Sequence, residues 1–261
     1  MAAIDSKYIL PATVGLTVIG VVAWIGLDRE PAAPVDVLPY ATEYPAIGYA
    51  ETEPVHPVAR LAERIGDGEL TIDSVPDRGY LDALLAALDI DPSSQALVYS
   101  RTSLQVGRIH PSTPRAIYFN DDTYVAWVPD ARTLEIAAYD ANLGPVFYTL
   151  TQPPEAPEAS REFRTCLRCH DTYSLSGGGV PRFLIGSGYT GTSGELVSHE
   201  AWILTTQATP LRSRWGGWYV TGFSGEQPHL GNIVVERAED LQALDELRIL
   251  NIEDVTPVLD A

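Results

Sequence analysis

An α+β domain carried behind an N-terminal membrane-spanning helix is the fold class that the sequence predicts, and three observations predict it. Residues 8–27 form one uncharged apolar run. Two later segments carry apolar residues at helical spacing, and a series of short Val-, Ile-, Tyr- and Phe-rich runs separated by turn formers follows them. Hydrophobic residues make up 45% of the 261 and charged residues 20%, so a packed core is within reach and wholesale disorder is excluded.

The first run, Tyr8 to Leu27, has 20 residues without a charge. About 20 helical residues at ~1.5 Å rise cover the ~30 Å hydrocarbon core of a bilayer. Pro11 stands in the first turn, where its missing N–H costs little, and Trp24 lies near the far end, where an amphipathic ring suits the interface. A cleaved signal sequence would have a shorter apolar stretch and a small-residue cleavage site, whereas Asp28-Arg29-Glu30 follows here. The expectation is an uncleaved anchor over residues 1–27. Residues 28–58 then hold six prolines, six acidic residues and one arginine. Neither helical nor strand periodicity survives that proline density, so the stretch reads as an extended tether or a strap over a partner, with His56, between two prolines, in solvent.

The remaining domain, 59–261, opens with two predicted helices, Ala59–Gly66 and Tyr80–Leu88, the second stopped by Asp89-Ile90-Asp91-Pro92. Runs at Ala96–Ser100, Arg115–Phe119, Thr123–Val128, Leu134–Tyr139 and Val146–Leu150 predict an antiparallel meander. A further strand is expected at Gly217–Phe223 and a last helix at Ala238–Leu250. Asp121-Asp122 reads as a turn rather than a cation site, since no calcium-loop spacing surrounds it.

Acidic residues outnumber basic ones 35 to 17, giving a formal charge of −18. Such a chain lacks the basic face that neutralises phosphates, which excludes a nucleic-acid binder. The charge favours partners with basic patches and association sensitive to salt, or else serves solubility in a saline medium.

Both cysteines of the chain fall in one pentapeptide, Cys166-Leu167-Arg168-Cys169-His170. Two thiols at this spacing can each form a thioether with one vinyl group of a haem, and the adjacent histidine then lies beneath the iron as its proximal ligand. CxxCH is the c-type attachment pattern. A thioredoxin-like site would need a βαβ setting, and a structural zinc site a second ligand pair; the sequence offers neither. The expected cofactor is therefore one covalent haem c on Cys166, Cys169 and His170. Resemblance of this motif to that of c-type cytochromes implies haem attachment on the periplasmic side of a bacterial inner membrane, the side that a single-pass, N-in anchor reaches. A fold with so many strands is not the small all-α cytochrome fold.

Met1 is the only methionine, so a His/Met iron is excluded. A second histidine, an open position or an unusual donor remains. His229 follows Arg212, Arg214, Trp215, Trp218 and Tyr219, groups suited to walling a macrocycle and pairing its propionates, and is the first candidate for the distal ligand; His110 and His199 are the others. Gly177-Gly178-Gly179 lacks the strand, Lys and helix of a phosphate loop and reads as a turn beside the haem edge.

The strings at 94–128, GPVFYTL at 144–150, CLRCH at 166–170, RWGGWYVTG at 214–222 and HLGN at 229–232 resemble bacterial exported or membrane-anchored proteins with a monohaem cytochrome c domain. The resemblance spans about residues 46–233. It implies covalent haem at Cys166 and Cys169 with His170 as ligand, and places His229 in a matching string. The family brings no defined substrate. Phe223-Ser224-Gly225 departs from it by lacking a histidine, and little resemblance extends past Asn232.

Three functions follow as expectations. The first is a membrane-anchored carrier of single electrons working with a redox partner protein or a multi-subunit membrane complex. The second is a five-coordinate haem for peroxide or gas chemistry, and the third a mainly structural subunit of a membrane assembly.

Overall fold

The structure is a computed structural model that describes residues 47–198, 202–236 and 252–253. The apolar run 8–27, most of the proline-rich stretch, His199 and the predicted helix at 238–250 lie outside the described residues. Among those described, no helix is long and apolar enough to cross a membrane.

The described fold is α+β and mainly antiparallel. Two helices come first, α1 (Pro57–Gly66) and α2 (Leu81–Ala87), followed by strands β1 (Ala96–Val98), β2 (Arg115–Phe119), β3 (Thr123–Trp127), β4 (Thr133–Asp140), β5 (Gly144–Thr151) and β6 (Ala159–Arg161). Short elements complete it: α3 (Leu167–His170), α4 (Tyr173–Ser176), β7 (Gly186–Ser187), β8 (Ile203–Leu204) and β9 (Trp218–Tyr219). Seven strands form one sheet in the order β6-β5-β4-β3-β2-β1-β9, while β7 and β8 make a separate pair. The predicted meander from β1 to β5 is present, each strand antiparallel to the next.

Register divides the sheet into two unlike faces, because residues directly opposite each other point the same way and neighbours along a strand alternate. One face carries Tyr118, Val125, Leu134, Ile136, Ala138, Val146, Tyr148 and Leu150, all buried. These residues form one core with Val58, Leu61 and Ile65 of α1 and Leu81, Leu84 and Leu85 of α2. The other face carries the cross-strand row Phe119–Tyr124–Ala137–Phe147 and, one row along, Ile117–Ala126–Glu135–Thr149. The Cys-His motif packs on this second face.

Helix boundaries follow local chemistry. Pro57 occupies the first turn of α1, and His56 caps it by accepting the Ala59 N–H at Nδ1, 3.2 Å. Beyond α2, Asp89 takes a left-handed φ of 53°, and Asn120 Nδ2 donates to the freed Leu88 carbonyl at 3.1 Å. The expected strand Gly217–Phe223 is cut to Trp218–Tyr219. Gly217 (φ 83°) and Gly222 (φ 96°) turn the backbone away from extended geometry on either side.

His56 is not solvated. It is 3% exposed, with Nδ1 spent on the cap and Nε2 3.3 Å from the Tyr148 hydroxyl. The neighbouring segment is fastened as well. The Tyr49 hydroxyl donates to Pro145 O, Val55 N to Asp140 Oδ2, and Arg161 to the Thr52 and Tyr49 carbonyls. The proline-rich stretch thus ends, from Ile47 onward, as a strap on the domain.

Burial pulls the His56 pKa below 6.5; Arg161 and Arg60 push the same way and Asp140 opposes them. A neutral imidazole therefore contributes stability that is complete above pH 6.5 and is lost as pH falls towards the lowered folded value. Asp140 acts lower on the scale. Burial works against its charge, but the Val55, Asn142 and Leu143 amides hold its carboxyl below 3.8. Chemical denaturation between pH 7.5 and 5 is expected to show a decline that His56→Gln flattens; an equal decline in the variant would contradict this assignment.

Candidate functional site

The chain leaves the sheet at β6 and enters the motif within five residues. Cys166 is the N-cap of α3 and already has helical dihedrals; the Cys169 and His170 amides donate back to its carbonyl at 3.2 and 3.0 Å. Residues three and four apart on such a turn are neighbours, so Cys166, Cys169 and His170 share one side of it. Leu167, the residue between the first thiol and Arg168, is fully buried in the core and anchors the turn there. Both cysteines are free thiols, Cys166 half-buried and Cys169 exposed.

His170 is held at three points. Its ring packs on Phe147 with centroids 4.4 Å apart. Its Nδ1 lies 2.7 Å from the Arg182 carbonyl, and the Arg182 N–H returns to the His170 carbonyl at 2.9 Å. A carbonyl only accepts, so Nδ1 carries the proton and Nε2 keeps its lone pair. Fixing the tautomer through the second nitrogen is how proteins prepare an imidazole for a metal. Burial lowers the pKa of His170, partly opposed by the Arg182 bond and aided by Arg115, so the ring is neutral at neutral pH and ready to ligate.

Arg182 reaches this position through the glycine triplet. Gly177, Gly178 and Gly179 all take positive φ (88°, 74° and 80°), a run that side-chain-bearing residues would resist, and the chain reverses to Val180-Pro181-Arg182. The turn read from the sequence is therefore the device that sets the histidine's proton. Asp171, next to His170, is fully buried; burial raises its pKa, while the nearby Ser176 hydroxyl and the Gly179 and Val180 amides work against that rise.

The first thiol of the pair is not activated in the thioredoxin manner. A thioredoxin-type nucleophile needs a depressed pKa. Burial, reinforced by Glu162 and Glu135, pushes the Cys166 thiol up to about 12. Nor is the pair part of a βαβ unit. Among the described residues no group of three or more His, Cys, Asp and Glu side chains converges as a metal-ion site.

The other histidines are placed as follows. His56 lies on the helix-covered face with both nitrogens engaged. His110 closes a turn with Thr113, its Nδ1 3.0 Å from the Ser112 hydroxyl. His229 is buried, and its Nδ1 accepts the Gly231 N–H at 3.1 Å, which leaves the proton of a neutral ring on Nε2. That is the tautomer opposite to the one seen in His170. Among the described residues, none of the three shares a hydrogen bond or ring contact with His170.

The segment expected to wall a macrocycle builds its own turns. Arg214 spends Nε and Nη2 on the Thr209 and Gln207 carbonyls, Trp215 packs edge-on against Trp218, and Trp218 Nε1 donates to Gly186 O. In the string 229–232, Asn232 brackets Val220 through both its amide oxygen and nitrogen.

Four neighbours of the motif were not singled out from sequence: Phe147, Phe183, Arg115 and Glu135. Phe183 packs on Tyr124 and Phe147, extending an aromatic file from Phe119 to His170. Arg115 Nη1 meets Glu135 Oε2 at 3.4 Å, both side chains largely covered. For the last two the available signal is a charge beside apolar or small strand residues, in RAIYF and in TLEIAA. Comparison with models of protein families, with curated proteins and with solved structures finds no match for the chain.

Proposed function

We propose that the chain is a membrane-anchored monohaem c-type cytochrome that passes single electrons to and from a redox partner on the periplasmic side of a bacterial inner membrane. The observation that carries this reading is the Nδ1–H of His170 fixed on the Arg182 carbonyl, which leaves Nε2 as a donor beside two reduced thiols. The donor set suits the group. Each thiol can add its sulfur across a vinyl C=C, its hydrogen going to the other carbon, so attachment consumes two S–H groups and needs no oxidant. Val180 and Ile185, 39% and 45% exposed near the motif in sequence, and Phe183 beside Phe147 supply apolar cover for a macrocycle. A bound haem supplies one-electron chemistry at its iron; the protein's part is ligation, orientation and electrostatics. Residues 8–27 would supply the anchor.

One observation favours the second reading, an open distal position for peroxide or gas chemistry. His56 and His229 have committed their lone-pair nitrogens elsewhere, and the chain has no methionine past Met1. Absorption spectra of the oxidised and reduced protein, followed by carbon monoxide, separate the two. The carrier reading predicts a low-spin, six-coordinate iron that carbon monoxide leaves unchanged, with the low-spin signature lost on mutation of just one of His229, His199 and His110. A high-spin iron that takes up carbon monoxide rapidly would overturn it in favour of the open site.

A further inference from the structure

A charge pair lies on the sheet face that carries the motif. Arg115 opens β2 and Glu135 is the third residue of β4. The register sets Glu135 opposite Thr149, two residues along β5 from the Phe147 on which His170 rests. Thr149 Oγ1 in turn donates to Glu162 at 3.1 Å, so the acidic groups facing this patch are Glu135 and Glu162 and the basic one is Arg115.

The pair is joined by one 3.4 Å contact, with side chains only 14% and 18% exposed, while Arg115 Nε and Glu135 Oε1 are buried without partners. A covered ion pair with open groups is a poor source of stability, since desolvation offsets the attraction. Its charges are felt at the site: Arg115 acts on His170, and Glu135 and Glu162 act on Cys166.

We propose that Arg115 and Glu135 set the reduction potential of the iron held by His170, the guanidinium favouring the reduced state and the carboxylate the oxidised one. This rests on the haem reading. Reduction adds an electron to the site, so a fixed positive charge nearby stabilises the product and a negative one opposes it, and low local dielectric magnifies both.

The test is a spectroscopic redox titration of the intact haem-loaded protein and its variants at one fixed pH. Glu135→Gln leaves an arginine that cannot discharge. The reduction equilibrium constant is then expected to rise about tenfold, which is ~59 mV for one electron. The double variant with Arg115→Gln should return to within about threefold of wild type, because both charges are gone. A Glu135→Gln protein that keeps the wild-type potential, or a double variant that keeps the rise, overturns the proposal. Should Glu135→Gln not accumulate, Arg115→Gln decides by sign: a fall supports the proposal, and an unchanged or raised potential overturns it. Wild-type protein without haem would instead refute the reading beneath it.

Discussion

Replacing His170 by glycine is expected to leave the pigment attached and to abolish its axial ligation. On the proposed reading, attachment belongs to the two thiols, one at the N-cap of α3 and one within it. Ligation then belongs to Nε2, since Nδ1 is engaged by the Arg182 carbonyl. The low-spin signature should disappear completely in the variant and return on adding imidazole, which can occupy the vacated space against Phe147. The fold should persist, because the backbone pairing of residues 170 and 182 does not involve the side chain and one hydrogen bond contributes about 1 kcal/mol. An unchanged spectrum would mean that another group ligates the iron.

What could be read from the sequence was governed by local rules. The Cys-x-x-Cys-His spacing places its three groups on one helical turn, and a turn needs nothing distant to form. The helices at 57–66 and 81–87 and the strands from 96 to 151 were legible because half of each element faces one core, which stamps its period on the chain. Even so, the core gave no hint of which face the motif would choose.

The unread parts depend on contacts across long stretches of chain. The proline context of His56 points to solvent, yet Tyr148, 92 residues away, receives its ring and buries it. The strand at 218–219 closes the sheet edge by pairing with β1, and its glycines shorten it more than its apolar pattern suggests. The site's own second layer was hidden for the same reason. Phe147 looks like an ordinary strand residue until His170 lands on it, and Arg182 looks like a surface charge until the glycine triplet presents its carbonyl. His229 shows the converse. Aromatic and basic neighbours made it attractive in sequence, but the Gly231 amide takes its Nδ1 lone pair.

The second large effect concerns Cys166 and Cys169, and it bears on the central claim. Burial pushes the half-buried Cys166 thiol up to about 12, away from the activated state of a nucleophilic cysteine. On the proposed reading, the pair captures a porphyrin covalently. With both replaced by serine, the three-residue geometry and the His170–Arg182 bond should survive, since Ser is close in size and Cys166, the one of the two packed on the core, is only partly buried. Any haem then bound would be held by His170 alone and removed by acid–acetone.

The deciding measurement is the intact mass of the protein made in cells equipped for c-type haem attachment, beside the Cys166→Ser, Cys169→Ser double variant. The account predicts wild-type protein heavier than its polypeptide by one haem, with pigment that resists acid–acetone, and a double variant at polypeptide mass. Wild-type protein at the bare polypeptide mass, made where a control cytochrome acquires its haem, would contradict it.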